Sequence, residues 1–145
     1  MRFTGSAEFM AARENVWTFL IDPGNFGPCS PVPIERVDDR RYVANARVGG
    51  GFLATTLRLD LEVTDVVPGR SARIVARGGA TGTTVDGSST FEVRAGSMDG
   101  TTIVDWEVEF RISGMFAGPA ERLIEERAPA AMERLLVCIH HQVEG

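Results

Sequence analysis

Few side chains in this sequence combine the type and the spacing that chemistry requires. His140 and His141 are the two histidines of the chain. As neighbours on a helix they point about 100° apart, so they do not chelate one metal ion together, and a solvated face is the better reading. Cys29 carries a nucleophile's atom, but no histidine lies near it in sequence, and a small buried side chain accounts for it better. Asp105, Glu107 and Glu109 alternate along one segment and share a face. A carboxylate acts as acid or base near neutrality only where burial raises its pKa, and these three stand opposite the apolar face, on the wet side. Gly78-Gly79-Ala80-Thr81-Gly82 has the glycine content of a phosphate loop without the strand-to-helix setting such a loop needs. A bulged or twisted strand pair fits it better. No HExxH motif, P-loop or nucleophile elbow occurs. Catalytic residues, metal ligands and a cofactor are therefore not assigned.

The elements that would position these residues follow from periodicity. Phe3, Gly5, Ala7 and Phe9 alternate with Thr4, Ser6 and Glu8, the pattern of a half-buried strand. Val16, Trp17, Leu20 and Ile21 recur at helical spacing. Asp22 can cap a following turn, and Pro23 suits a first helical position, so a second short helix through Phe26 to Cys29 is expected. Pro28, Pro31 and Pro33 stop it from continuing. Strands then follow from Ile34, from Arg41 to Val48, around Leu57 to Thr64, from Ser71 to Ala76, around Thr90 to Val93 and from Val104 to Ile112. The turns between them are Asp38-Asp39, Gly49-Gly50-Gly51, Pro68-Gly69 and Asp99-Gly100. Hairpin-length connections imply an antiparallel meander.

The last segment, Met115 to Val143, is helical, with Leu123, Ile124, Ala128, Ala131, Leu135, Cys138 and Ile139 along one stripe. Pro119 fits its first turn. Pro129 removes the hydrogen bond to the Glu125 carbonyl and is expected to kink the helix. Seven strands and one long helix predict an α+β helix-grip fold: an antiparallel sheet wrapped around the terminal helix, with two short helices after the first strand, in one domain over residues 1–145.

Composition narrows the function classes. The 145 residues carry a net charge of −5 without a basic stripe, which disfavours nucleic-acid binding. All 15 basic residues are arginine, as in proteins of GC-rich bacterial genomes. Cys29 and Cys138 are the two cysteines, widely spaced, and read as buried thiols in a reducing cytoplasm more than as a disulfide framework. Residues 1–10 lack the apolar core of a signal peptide, and no apolar run approaches the ~20 residues of a membrane span. Large or pliable apolar side chains are the more suggestive inventory. Phe26, Phe52, Phe91, Trp106, Phe110, Met115, Phe116, Leu123 and Met132 stand at element ends or on inward faces. They are the candidates to line a hollow for an apolar ligand, and core filling is the alternative that sequence alone leaves open.

Several of these segments together resemble the carbon monoxide dehydrogenase CoxG family of the START/polyketide-cyclase-like (SRPBCC) superfamily. The resemblance is carried by Phe3-Thr4-Gly5, by Ala12 through Trp17, by Leu20-Ile21-Asp22-Pro23, by Cys29-Ser30-Pro31, by Gly87-Ser88-Ser89 and by the helix opening at Gly114. It implies a helix-grip fold with an elongated cavity, and a non-catalytic accessory role beside a molybdenum-containing carbon monoxide dehydrogenase. Superfamily relatives bind lipids, quinones, sterols and polyketides. Departures are Ala12, where the family often has proline, and Pro31-Val32-Pro33, where proline-glycine is usual. Many members end in a membrane-anchoring tail, whereas this sequence ends at Gly145.

The resulting expectation is a binding protein for an isoprenoid quinone or lipid-like molecule. It would be cytoplasmic, free or peripheral at the inner face of the membrane. Its partners would be that ligand and a carbon monoxide dehydrogenase-type redox complex, with a homodimer left open. The alternative is a polyketide cyclase or aromatase-like enzyme acting in the same cavity. That enzyme would need polar groups held over the substrate, such as an inward Arg47, Arg73 or Arg77, and the chain has a single tyrosine, Tyr42. A third reading is an interaction adaptor with a filled core.

Overall fold

A computed structural model describes residues 1–30, 32–48 and 55–145. The elements run β1 (Arg2–Phe9), α1 (Arg13–Leu20), a 3-10 helix (Pro23–Cys29), β2 (Ile34–Arg36), β3 (Arg41–Val48), β4 (Thr55–Val67), β5 (Ser71–Ala80), β6 (Thr83–Ala95), β7 (Thr102–Gly114) and α2 (Ala117–Glu144). The strands form one seven-stranded sheet in the order β1-β7-β6-β5-β4-β3-β2, and every pairing is antiparallel. This is the helix-grip architecture expected from the sequence, with both short helices between β1 and β2. The Gly49–Gly51 turn and Phe52 lie outside the described residues.

Alternation sets which face each strand turns to α2. On β1, Phe3, Gly5, Ala7 and Phe9 are the less exposed set and Arg2, Thr4, Ser6 and Glu8 are exposed. On β7, Thr102, Val104 and Ile112 are buried, while Asp105 and Glu107 bind partners on the outer face. The register puts Gly5 and Phe91 on either side of Trp106. Gly5 is required there: a Cβ at this position would run into the Trp106 ring at Cζ2, so the indole lies over bare backbone.

The segment Gly78 to Ser89 belongs to a strand pair, as its glycines suggested, but in unbroken register, Gly78 opposite Val85 and Ala80 opposite Thr83, without a bulge. Gly78 is needed because a Cβ would collide with the Arg58 carbonyl oxygen. The bulge falls instead on β4, where Thr64 to Val67 spans Arg73 to Ser71 on β5. Asp65 takes the strain with φ of 51°.

The packed core gathers at the α1 end of the sheet. Phe9, Val16, Leu20, Tyr42, Val93, Val104 and Ile139 are all buried there. Trp17 packs on Phe91 with ring centroids 5.8 Å apart, and Phe19 meets Phe26 edge-on at 5.5 Å. Fully buried Thr102 donates its hydroxyl to the Ala11 carbonyl at 2.8 Å, so its burial leaves no donor unpaired. As expected, Asp22 caps the 3-10 helix, accepting from the Gly24 N–H at 2.9 Å, with Pro23 in the first position.

Two cysteines expected as thiols are joined instead. Cys29 at the end of the 3-10 helix and Cys138 on α2 form a disulfide across 109 residues of sequence. Sequence spacing does not report spatial distance, and the short helix folds back onto the last turns of α2. In a chain-entropy account, closing a loop of this length stabilises by roughly 4–5 kcal/mol. The thiol reading, and the reducing compartment inferred from it, therefore lose their basis. None of the described helices is long and apolar enough to cross a membrane.

Candidate functional site

Between the sheet and α2 lies a hollow of about 540 Å³. Its sheet wall is built row by row from inward positions. Phe3, Val108 and Ser89 make one row, and Trp106 and Phe91 the next. Phe3 and Phe110 stack at 6.1 Å. Its roof is one face of α2: Ile124, Ala128, Ala131, Met132, Leu135, Leu136 and Ile139. Its end wall is the 3-10 segment, through Phe26, Cys29 and Ser30. Among the described lining residues none is charged, and Ser30 and Ser89 carry the only side-chain hydroxyls.

One polar atom of Trp106 is unusual. The Trp106 indole N–H is buried without a hydrogen-bond partner among the described residues. An unpaired buried donor costs about 1–3 kcal/mol. Nothing in the periodicity of β7 signals this.

Five of the nine residues expected to line a hollow do so: Phe26, Phe91, Trp106, Phe110 and Met132. Three do not. Met115, Phe116 and Leu123 are 80%, 57% and 47% exposed. Leu123 lies one residue, about 100°, off the inward line through Ile124 and Ala128. Met115 and Phe116 precede α2, beyond the reach of the sheet wall. Phe52, the ninth, is outside the described residues. The sequence reading omitted the small residues Ala7, Ser89, Ala128 and Ala131, whose small side chains leave the hollow unfilled.

Pro129 sits within an unbroken α2. Beside it is a smaller recess of about 320 Å³ that shares Phe3, Trp106, Ala128, Met132 and Leu136 with the main hollow. Phe116 and the end of the 3-10 helix lie far apart along the hollow. Cys29 is tied to Cys138, which lies about 33 Å along the helix from position 116 at ~1.5 Å per residue.

The remaining chemical candidates are elsewhere. Arg47, Arg73 and Arg77 are exposed. The Tyr42 hydroxyl donates to Asp22. Asp105 binds Arg94 at 2.7 Å and accepts from the Ser6 hydroxyl, and these contacts hold its carboxyl below the usual range, Arg94 contributing most. Glu107 pairs with Arg2 at 2.8 Å. His141 is exposed as expected, whereas His140 is half-buried. Its ring lies 4.3 Å from that of Phe9, and its Nδ1 is 3.2 Å from Glu144. Among the described residues no cluster of three potential metal ligands forms.

An antiparallel sheet gripping a long helix defines a START/Bet v 1-like helix-grip fold. The profile of the carbon monoxide dehydrogenase CoxG family matches residues 5–144, and the chain belongs to that family. No curated protein matches it in sequence. Solved structures match in fold. A conserved protein from Geobacillus kaustophilus superposes with a TM-score of 0.81 at 19% identity, covering 99% of this chain and 95% of that one. A START superfamily protein from Mycobacterium smegmatis gives 0.66 at 14% identity over 99% and 97%. The Zhui aromatase/cyclase from Streptomyces sp. R1128 gives 0.63 at 14% over 99% and 95%. At these identities the likeness is one of fold.

Proposed function

We propose that this protein is a non-catalytic carrier of a neutral apolar or amphipathic small molecule, an isoprenoid quinone or a lipid-like compound. In this reading it serves a molybdenum-containing carbon monoxide dehydrogenase-type enzyme. The observation that carries the reading is the hollow itself. Its volume of about 540 Å³ falls within the ~300–1,000 Å³ of small-molecule sites, and its described lining offers no charge. An ionised ligand group buried there would lack a counter-ion, at several kcal/mol. A neutral group bearing an oxygen would find only the hydroxyls of Ser30 and Ser89 among the described lining side chains. Membership of the CoxG family supports the redox-enzyme partner. The cyclase reading gains nothing from the site, since Arg47, Arg73 and Arg77 are exposed.

Native mass spectrometry of the purified protein, with solvent extraction of what co-purifies, tests the reading. A bound neutral isoprenoid or acyl compound is the expected result. A chain that stays empty after incubation with neutral quinones and lipids, or that selects charged ligands, overturns it.

A further inference from the structure

We propose that the Cys29–Cys138 disulfide is a redox clasp on the mouth of the hollow. This deepens the carrier reading and rests on it. Cys29 lines the inner hollow. Cys138 lines an outer groove of about 500 Å³ together with Arg134, Val137 and His141. The S–S bond therefore stands between the ligand space and the surface.

The two ends of the 3-10 segment are held very differently. Its start is fixed by hydrogen bonds: Asp22 to Tyr42 and Gly24, and the Asn25 side chain to the Phe19 carbonyl at 3.1 Å. Among the described residues no hydrogen bond or ion pair joins its end to α2, so the disulfide is the one strong tie across that seam. With the bond intact, the Cα atoms of Cys29 and Cys138 stay 5.5 Å apart and the seam cannot part at this point. Once it is cut, no hydrogen bond or ion pair among the described residues holds the seam.

The reductant is a dithiol. One of its thiolates attacks a sulfur of the pair, forming a mixed disulfide and releasing the other cysteine as thiolate. Its second thiol then displaces the remaining cysteine and closes the reductant's own disulfide. Two electrons and two protons pass to the protein, and two cysteine thiols result. The outer groove gives the attacking thiolate access to Cys138, between side chains of both charges, Glu133 and Arg134. In the oxidised form the carrier retains its ligand; in the reduced form it exchanges it.

The test uses the full chain loaded with the neutral probe N-phenyl-1-naphthylamine, whose fluorescence reports occupancy. Release is followed from the oxidised protein and after dithiothreitol, with thiol titration to confirm reduction. Release should quicken by about tenfold on reduction, corresponding to a lower barrier to opening. The Cys29→Ala/Cys138→Val variant, which keeps apolar packing without the bond, should release fast in both conditions. Probe binding with equal release rates before and after reduction overturns the clasp and leaves the carrier reading standing. Loss of far-ultraviolet dichroism on reduction also overturns it, making the bond a staple of the whole fold. Failure of the probe to bind either form overturns the carrier reading and the clasp with it.

Discussion

The Tyr42 hydroxyl donates to Asp22 Oδ1 at 2.8 Å, and the same oxygen accepts the Gly24 N–H at 2.9 Å. One carboxylate thus caps the 3-10 helix and fastens it to β3. Tyr42 is 2% exposed, and burial first, then the hydrogen bond to Asp22, pushes its pKa up to about 12.

A raised phenol pKa favours the protonated, folded state. Its contribution is fully present below the unfolded value near 10 and is lost as pH rises through about 12. On the order of 2 kcal/mol should disappear across that window. Because the chain has a single tyrosine, tyrosinate absorbance reads this group alone. A midpoint near 10 in the folded protein would contradict the Tyr42–Asp22 bond. Tyr42→Phe should lower the denaturant-derived stability by about 1 kcal/mol and flatten its alkaline decline.

Gly5→Val should be strongly destabilising, because the new side chain meets the Trp106 ring. Overpacking of this kind costs about 1–3 kcal/mol. Trp106→Phe in the same chain should recover part of the loss. Equal stabilities for Gly5→Val with and without that second change would show that the ring moves aside freely.

Filling the hollow should abolish binding without unfolding the chain. Ala128 lines it from the roof, so Ala128→Phe should lower probe affinity by about tenfold or more, a change of ~1.4 kcal/mol. Circular dichroism should be unchanged. Unaltered affinity in a well-folded Ala128→Phe protein would mean that the probe binds elsewhere.

Pro129→Ala should stabilise α2, by up to about 3 kcal/mol, since proline is that unfavourable inside a helix. The recess beside Pro129 shares five residues with the hollow. If ligands enter there, probe uptake slows as stability rises. Unchanged uptake in a stabilised protein leaves Pro129 without a part in ligand entry.

What the sequence made legible was whatever depends on short-range period. The alternation through Phe3 and Phe9, the Asp22-Pro23 cap and the α2 stripe each need only a handful of neighbouring residues to be read. Long-range facts were hidden for the same reason. Cys29 and Cys138 meet only because the 3-10 helix turns back on α2, and no local pattern records that. The helix stripe shows which residues are apolar, but not where the sheet beneath ends, so Met115 and Phe116 were assigned to a wall that stops short of them. The hollow depends as much on alanines and serines as on the aromatics, and small residues carry no distinctive signal.

The strand order has a consequence for how this protein is made. β1 pairs with β7, Arg2 opposite Glu109 and Phe9 opposite Thr102, although β1 is the first strand to leave the ribosome. At about 5–20 residues per second, it waits on the order of 5–20 s for its partner to be synthesised. Through that interval its Phe3–Phe9 face has neither β7 nor α2 to cover it. The hollow cannot form until β7 and α2 have both been synthesised and folded together, so any ligand it takes would enter only after that point.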